Sequence, residues 1–451
     1  MVGYRVVRAV LRGIVNVFYG RVEVAGAERL PDRGPLIVAA NHHNALFDPM
    51  LLIATLPRRL TPVAKATLFV YPLLGVALRL VGAVPVHRRQ ESTDDPARNA
   101  AMFAVATRTL GVGGAILIFP EGISHDDPRL AALRTGTARM LLAAAAEGVE
   151  GIHLVPVGLV YDEPGTFRTG RALVAVGRAV PTDDCVGLYR TAPTTAVRQL
   201  TDRLTVALRE QMVEADDRYT LRLLRVMESV WQDDPDEPRA DGAARMAWMQ
   251  QVMRAYRHLL REAPGRVVQV RRELEAYAAD LARAGVTSHQ LSGSYSVGAA
   301  LRRALGDGLV LLLGALPAAL GLAAHVVPYR CVGWIVRVLR PEEDVQATYK
   351  IVASGVLFPL FWVLEGWVMW RVTGGWGLAL FLGLLVPTAW WALAWQEGWE
   401  RLRAEVGGLG RLLLHRDLHR HLRDRRQQLA DTLSALAALV PESVRLGSDA
   451  R

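Results

Sequence analysis

Three long apolar stretches, Leu309 to Val327, Val352 to Trp370 and Trp376 to Trp395, constrain this chain more than any other feature in it. Each is long enough, or nearly so, to cross the hydrocarbon layer of a membrane as a helix. Backbone amides in lipid have to be satisfied within the segment itself, which favours helices for all three. Trp362, Trp367, Trp370, Trp376, Trp390, Trp391 and Trp395 suit anchoring at the lipid–water boundary. The second and third stretches are joined by Arg371-Val372-Thr373-Gly374-Gly375 and read as a membrane hairpin. The first, interrupted by Gly314, Pro317 and Gly321, reads as re-entrant or interfacial. An apolar fraction of 51% and a mean hydropathy of +0.18 fit a membrane-associated protein.

The first 180 residues read differently, as short apolar runs alternating with helical patterns, the signature of an α/β domain. The best strands are Val22 to Val24, Leu36 to Ala40, Ala115 to Phe119 and Leu154 to Val160. Helices are expected over Asp48 to Thr55, Pro72 to Val81, Arg98 to Thr109 and Thr135 to Ala146. Ahead of them, Arg5, Arg8 and Arg12 recur at helical spacing, with Val6, Val10, Leu11, Ile14, Val17 and Phe18 largely on the other side. That pattern predicts an amphipathic helix on a membrane surface, with a packing helix of the α/β domain as the alternative.

The chemistry is concentrated in LIVAANHHNALFDP, Leu36 to Pro49. A buried strand breaks into Asn41, His42, His43 and Asn44, and Asp48 follows within one or two helical turns. A carboxylate so placed can accept a hydrogen bond from one imidazole nitrogen and fix the tautomer. The other nitrogen is then free to take a proton from a hydroxyl. A lone His/Asp pair is more often a loop histidine and a helix-capping aspartate, so the rest of the chain has to give the pair its meaning.

Three further blocks close strands of the same domain. Gly82-Ala83-Val84-Pro85-Val86-His87-Arg88-Arg89 combines a glycine turn with adjacent guanidinium groups, which bind phosphate oxygens bidentately. Phe119-Pro120-Glu121-Gly122 puts a carboxylate and a glycine at a strand end, where a polyol hydroxyl could be held and approached closely. Leu154-Val155-Pro156-Val157-Gly158-Leu159-Val160-Tyr161 is an apolar strand whose proline predicts an edge or a bulge.

NHHNALFD, GAVPVHR, FPEG and VPVGLVY, in that order and at this spacing, resemble the glycerolipid acyltransferase superfamily, which includes glycerol-3-phosphate and 1-acylglycerol-3-phosphate O-acyltransferases. The likeness covers roughly residues 1–180. Ala347-Thr348-Tyr349-Lys350 through Phe358-Pro359-Leu360 resembles a branch with a membrane-embedded C-terminal region. The family's H-x4-D spacing, counted back from Asp48, falls on His43. Its Asn-His pair instead falls on Asn41-His42, and the branch usually writes NHPNALLDP. By that likeness His42 is the catalytic residue, with His43 the alternative.

The resemblance implies an O-acyltransferase with an α/β catalytic domain, a mixed sheet flanked by helices, followed by a helical region and C-terminal transmembrane helices. It implies His42 as general base, oriented by Asp48. Gly82 and Arg88 would hold an acceptor phosphate, with Lys65 a second phosphate ligand. Glu121 and Gly122 would bind the glycerol part, Pro156 would shape the acyl side, and Asn41 belongs with the substrate-binding set. The donor would be acyl-CoA or acyl-carrier protein, and the acceptor glycerol 3-phosphate or its 1-acyl derivative. Another lysophospholipid or a glycolipid is the alternative acceptor, and a non-catalytic lipid-binding scaffold is the alternative of another class. No cofactor or metal is implied, and His125, Asp126 and Asp127 read as a solvated loop.

Net charge is +9, which suits anionic lipid and anionic substrates. No nucleic-acid-binding signature accompanies it. The two cysteines, Cys185 and Cys331, are far apart and build neither a disulfide framework nor a zinc site. The expected organisation is a membrane-surface helix at 1–20, the acyltransferase domain at 21–190 and a helical insert at 191–305. Membrane-embedded helices at 306–400 and a basic helical tail at 401–451 complete it. Arginines crowd the tail, and the positive-inside rule with cytoplasmic acyl donors puts both tail and catalytic domain on the cytoplasmic face of the cell membrane.

Overall fold

The computed structural model describes residues 2–86, 96–162, 170–231, 242–292, 297–414, 416–442 and 444. They fall into two units. The first comprises Met1–Asp217, Ala240–Gln250 and Glu342–Thr348. In chain order it holds α1 (Val2–Phe18), β1 (Arg21–Ala25), β2 (Leu36–Ala40), α2 (Phe47–Thr55), β3 (Leu60–Lys65), α3 (Pro72–Val81) and β4 (Val84–Val86). Then come α4 (Pro96–Gly111), β5 (Ala115–Ile118), α5 (Gly136–Ala146), β6 (His153–Tyr161), β7 (Arg171–Val176), α6 (Asp183–Tyr189) and α7 (Pro193–Arg209).

The seven strands form one mixed sheet in the order β1-β7-β6-β2-β5-β3-β4. β6, β2, β5, β3 and β4 run parallel, while β7 is antiparallel to β6 and pairs in parallel with β1. The carboxyl ends of the five parallel strands therefore share one edge, the edge at which open α/β sheets bind ligands. Asn41-His42 follow β2 and Phe119-Pro120-Glu121-Gly122 follow β5 at that edge.

Why β2 is central follows from its composition. Leu36, Ile37, Val38, Ala39 and Ala40 are all 0% exposed, as expected for a parallel strand covered on both faces. Ile37 and Ile116 of the sheet pack with Leu110 of α4, Leu141 and Leu142 of α5, and Leu200, Leu204 and Leu208 of α7. Burial of each such side chain is worth roughly 1.5–3 kcal/mol. The α7 stripe thus belongs to the first unit.

Of the edge or bulge expected at Pro156, the sheet shows the bulge: Pro156 lies in an interior strand, between β2 and β7. The pairing passes from Val157↔Val176 to Leu154↔Val180 with one extra residue on the segment that follows β7. Gly177 N–H still donates to the Pro156 carbonyl at 2.9 Å. Two of the three arginines of α1 bond to the carboxyl end of α2. Arg8 donates to Leu56 O at 2.5 Å and Arg12 to Ala54 O at 3.2 Å. Cations are favoured at a helix carboxyl end such as that of α2. Val6 and Val10 are left exposed.

The second unit comprises Arg218–Arg239, Gln251–Pro341 and Tyr349–Arg451. It contains α8 (Arg218–Trp231), most of α9 (Gly242–Glu262), α10 (Pro264–Ala284), α11 (Val297–Leu313), α12 (Ala315–Leu339), α13 (Glu343–Leu414) from Tyr349 onward, and α14 (Arg416–Ala438). Leu422, Leu429 and Leu433 of α14 pack with Val270, Leu274 and Tyr277 of α10 and Val230 of α8. Buried Arg426 donates to Val230 O at 2.8 Å. The basic tail is therefore a member of the same bundle as the helical region before the apolar stretches.

Two helices among the described residues, Ala315–Leu339 and Val345–Arg411, are long and apolar enough to cross a membrane. The second folds back on itself at Gly374, whose φ of 74° and ψ of −167° are not helical. A Cβ on Gly366 would lie 3.2 Å from the Leu378 side chain, although twelve residues of straight helix span about 18 Å. Of the three expected breaks in the first apolar stretch, only Gly314 separates helices. Pro317 sits in the first turn of α12, where a missing N–H costs nothing. Gly321 is a close-approach site, since a Cβ there would come 2.1 Å from Thr388 O. Trp391 and Trp395, expected as interfacial anchors, donate their indole N–H groups to Gly314 O at 3.0 Å and Leu311 O at 2.8 Å. These bonds tie the second half of α13 to the junction of α11 and α12.

Candidate active site

The site begins where β2 ends. Asn41 is fully buried, and its amide bonds both polar groups of Leu159, donating to the carbonyl at 3.0 Å and accepting from the N–H at 2.6 Å. This pins the end of β2 to β6. Asn41 is a structural clamp with no face left for a ligand.

His42 follows immediately. Its backbone N–H donates to Glu121 Oε1 at 2.7 Å, and its ring stacks on Phe119, centroids 4.1 Å apart and planes inclined by 19°. Its Nδ1 lies 2.9 Å from Asp48 Oδ2. The chain reaches this geometry because residues 44–48 form the first turn of α2, with Phe47 N–H donating to Asn44 O at 2.7 Å. That turn swings Asp48 back under the imidazole. Asp48 is fully buried and accepts two more hydrogen bonds, from Asn44 N–H at 2.8 Å and from the Tyr161 hydroxyl at 2.5 Å. With Nδ1–H donating to the Asp48 carboxylate, the lone pair is left on Nε2.

His43 has a different partner. Its Nδ1–H donates to the His125 carbonyl at 3.2 Å, and burial pushes its imidazole below the ordinary histidine range. Of the two adjacent histidines, Asp48 pairs with His42.

Glu121 is likewise committed to the protein. Its side chain is 0% exposed, and it accepts from His42 N–H, from Ala131 N–H at 2.8 Å and from His125 Nε2. Such a carboxylate braces the catalytic loop and has no free edge for a polyol hydroxyl. His125 is consequently no solvated loop residue. Its ring is mostly enclosed, its N–H donates to His42 O at 3.2 Å, and the bond to Glu121 raises its pKa above the ordinary value. Gly122 has a φ of 73°, and what approaches it is the Arg134 side chain, whose Nε would lie 2.7 Å from a Cβ there.

Lys65 ends β3, on the same sheet edge as His42 and two strands away, about 10 Å. Gly82 is the left-handed cap of α3, φ 78°, with its N–H on Arg79 O and Leu78 O. That cap accounts for the glycine. Arg88 falls outside the described residues.

Tyr161, Phe119, His125 and Arg134 escaped the sequence reading as site residues. Tyr161 had a signal, a polar-tipped aromatic closing an otherwise apolar strand, but its partner Asp48 lies 113 positions away. Burial, with the Asp48 charge second, holds its phenol well above its usual pKa and so keeps it a donor.

A buried His–carboxylate pair at the carboxyl edge of a mixed α/β sheet is the arrangement of a general acid–base catalyst, and comparison with known proteins narrows it. Residues 21–160 match the family model described as Acyltransferase. An uncharacterized acyltransferase of Schizosaccharomyces pombe is 23% identical, the match covering 78% of this chain and 66% of that protein. Glycerol-3-phosphate O-acyltransferase 2 of Saccharomyces cerevisiae is 32% identical over 30% of this chain and 18% of its own length. The alpha form of 1-acyl-sn-glycerol-3-phosphate acyltransferase of Bos taurus is 27% identical over 40% of this chain and 61% of its own length. The chain thus spans from under a fifth to about two thirds of these relatives.

Proposed function

We propose that this protein is a membrane-bound O-acyltransferase that moves a fatty acyl group from a thioester, acyl-CoA or acyl-carrier protein, to a hydroxyl of glycerol 3-phosphate or its 1-acyl derivative. The observation that carries this reading is the His42–Asp48 pair at 2.9 Å, which leaves His42 Nε2 as the base.

His42 Nε2 takes the acceptor's hydroxyl proton as the oxygen attacks the thioester carbonyl. Asp48, buried and triply bonded, stabilises the imidazolium that forms. The tetrahedral adduct collapses by breaking the carbon–sulfur bond, and the imidazolium returns its proton to the departing thiolate. Acyl group, proton and thiol balance without a covalent acyl-enzyme. Glu121 and His125 act through the loop, holding the His42 backbone. Lys65 and Arg88 remain the proposed phosphate ligands.

For sidedness, the packing of α14 on α10, the helices that flank the apolar segment, supports both ends of that segment lying on one face of the membrane. The basic tail and the thioester donors favour the cytoplasmic side.

The test is the purified full-length chain in lipid nanodiscs, given radiolabelled palmitoyl-CoA or palmitoyl-acyl-carrier protein. Glycerol 3-phosphate, its 1-acyl derivative, other lysophospholipids and a glycolipid are offered as acceptors in parallel. Labelled phosphatidate or lysophosphatidate is expected; label confined to another acceptor, or no transfer at all, refutes the reading.

A further inference from the structure

The catalytic turn depends on a residue far from it in sequence. Between His42 and Asp48 the backbone passes through Ala45 at a φ of 20°, a positive value that side-chain-bearing residues seldom adopt and that surroundings must hold in place. Leu46 stands at the N-cap position of α2, and its side chain caps nothing. A helical bond from Leu46 N–H would go to His42 O, but that carbonyl already accepts from His125 N–H at 3.2 Å. Leu46 N–H instead donates to the Thr348 hydroxyl at 3.2 Å, across 302 residues of chain. Thr348 is the sixth residue of α13, the helix whose later turns form the apolar hairpin. Its neighbour Ala347 is 0% exposed, so this stretch is packed into the catalytic unit.

We propose that the Thr348 hydroxyl is a positioning group of the active site. By capping Leu46 it fixes the turn that sets Asp48 against His42, and the first turns of α13 are thereby part of the catalytic machinery. It touches neither substrate nor the reacting nitrogen. The proposal rests on the acyl-transfer reading above for its kinetic consequence, though not for its structural one. A displacement of catalytic groups by even about 1 Å can cost on the order of 100-fold in rate.

Thr348→Val keeps the shape and removes the hydroxyl, while Thr348→Ser keeps the hydroxyl and removes the methyl. Both are compared with the unaltered chain in phosphatidylglycerol nanodiscs, using palmitoyl-CoA and 1-oleoylglycerol 3-phosphate. Thr348→Val is expected to lower kcat about 10- to 100-fold with KM for both substrates little changed, and Thr348→Ser to restore kcat. Amide hydrogen exchange is read in parallel: the peptide containing Leu46 should exchange faster in Thr348→Val and normally in Thr348→Ser. An unchanged kcat in Thr348→Val, or equal losses in both variants, overturns the proposal. Should the unaltered chain transfer no acyl group, the functional reading fails by itself, and the exchange rate at Leu46 still decides for or against Thr348.

Discussion

Tyr161 donates its hydroxyl to Asp48 Oδ1 at 2.5 Å, while His42 uses the other oxygen, Oδ2, at 2.9 Å. The carboxylate is thus held from two sides, by a tyrosine from the end of β6 and by the imidazole it orients. Neither oxygen can rotate without losing a partner.

That relationship sets the first expectation. Tyr161→Phe removes one of the partners that fix the Asp48 carboxylate, so the carboxylate is held less firmly against His42 and kcat should fall. Loss of a hydrogen bond to a charged group is worth roughly 1.5–3 kcal/mol, or about tenfold or more in rate. An unchanged kcat would show that Tyr161 only fills space.

His42→Ala should abolish acyl transfer in a folded protein, whereas His43→Ala should cost much less. A positioned general base contributes ~10²–10⁴ in rate, so single-turnover rates of the two variants separate cleanly. The opposite ranking would move the base to His43 and detach Asp48 from the mechanism.

The Glu121–His125 pair predicts a pH-dependent contribution to stability. His125 has its pKa raised in the folded protein, chiefly by the hydrogen bond to Glu121. Its stabilisation is fully present below the unfolded histidine value, about 6.5, and is lost as pH rises through the folded one. The apparent Tm of His125→Gln should therefore fall furthest below the unaltered protein near pH 5.5, with the gap narrowing toward pH 8. A gap that widens with pH would contradict the assignment.

Sidedness can be read by chemical labelling. With Cys185 and Cys331 replaced, Ser92→Cys and Ser448→Cys should both resist an impermeant maleimide in intact cells and both react after permeabilisation. Reaction of Ser448→Cys in intact cells would require an odd number of crossings, and the packing of α14 on α10 could not then be the membrane-bound state.

By itself the sequence determined the elements whose signal is local. Leu36 to Ala40 read as a buried strand because nothing polar interrupts it, and α3 was legible to the residue at Pro72–Val81 because its period and its glycine cap are contiguous. The order of the four blocks likewise pointed to the acyltransferase family. β3 and β7 were not legible, since Thr61, Pro62 and Lys65 interrupt one and the other pairs only with distant strands. Of the two adjacent histidines the sequence favours His42 through the Asn41-His42 likeness alone. The pairing itself is made by the turn at Ala45, with the backbone bonds to Glu121 and His125, which sets His42 against Asp48. Glu121 looked available for substrate because its three donors lie 79, 10 and 4 positions away. The reach of a side chain is written in the sequence, but its partner is decided by which strands and loops the sheet brings to the same edge.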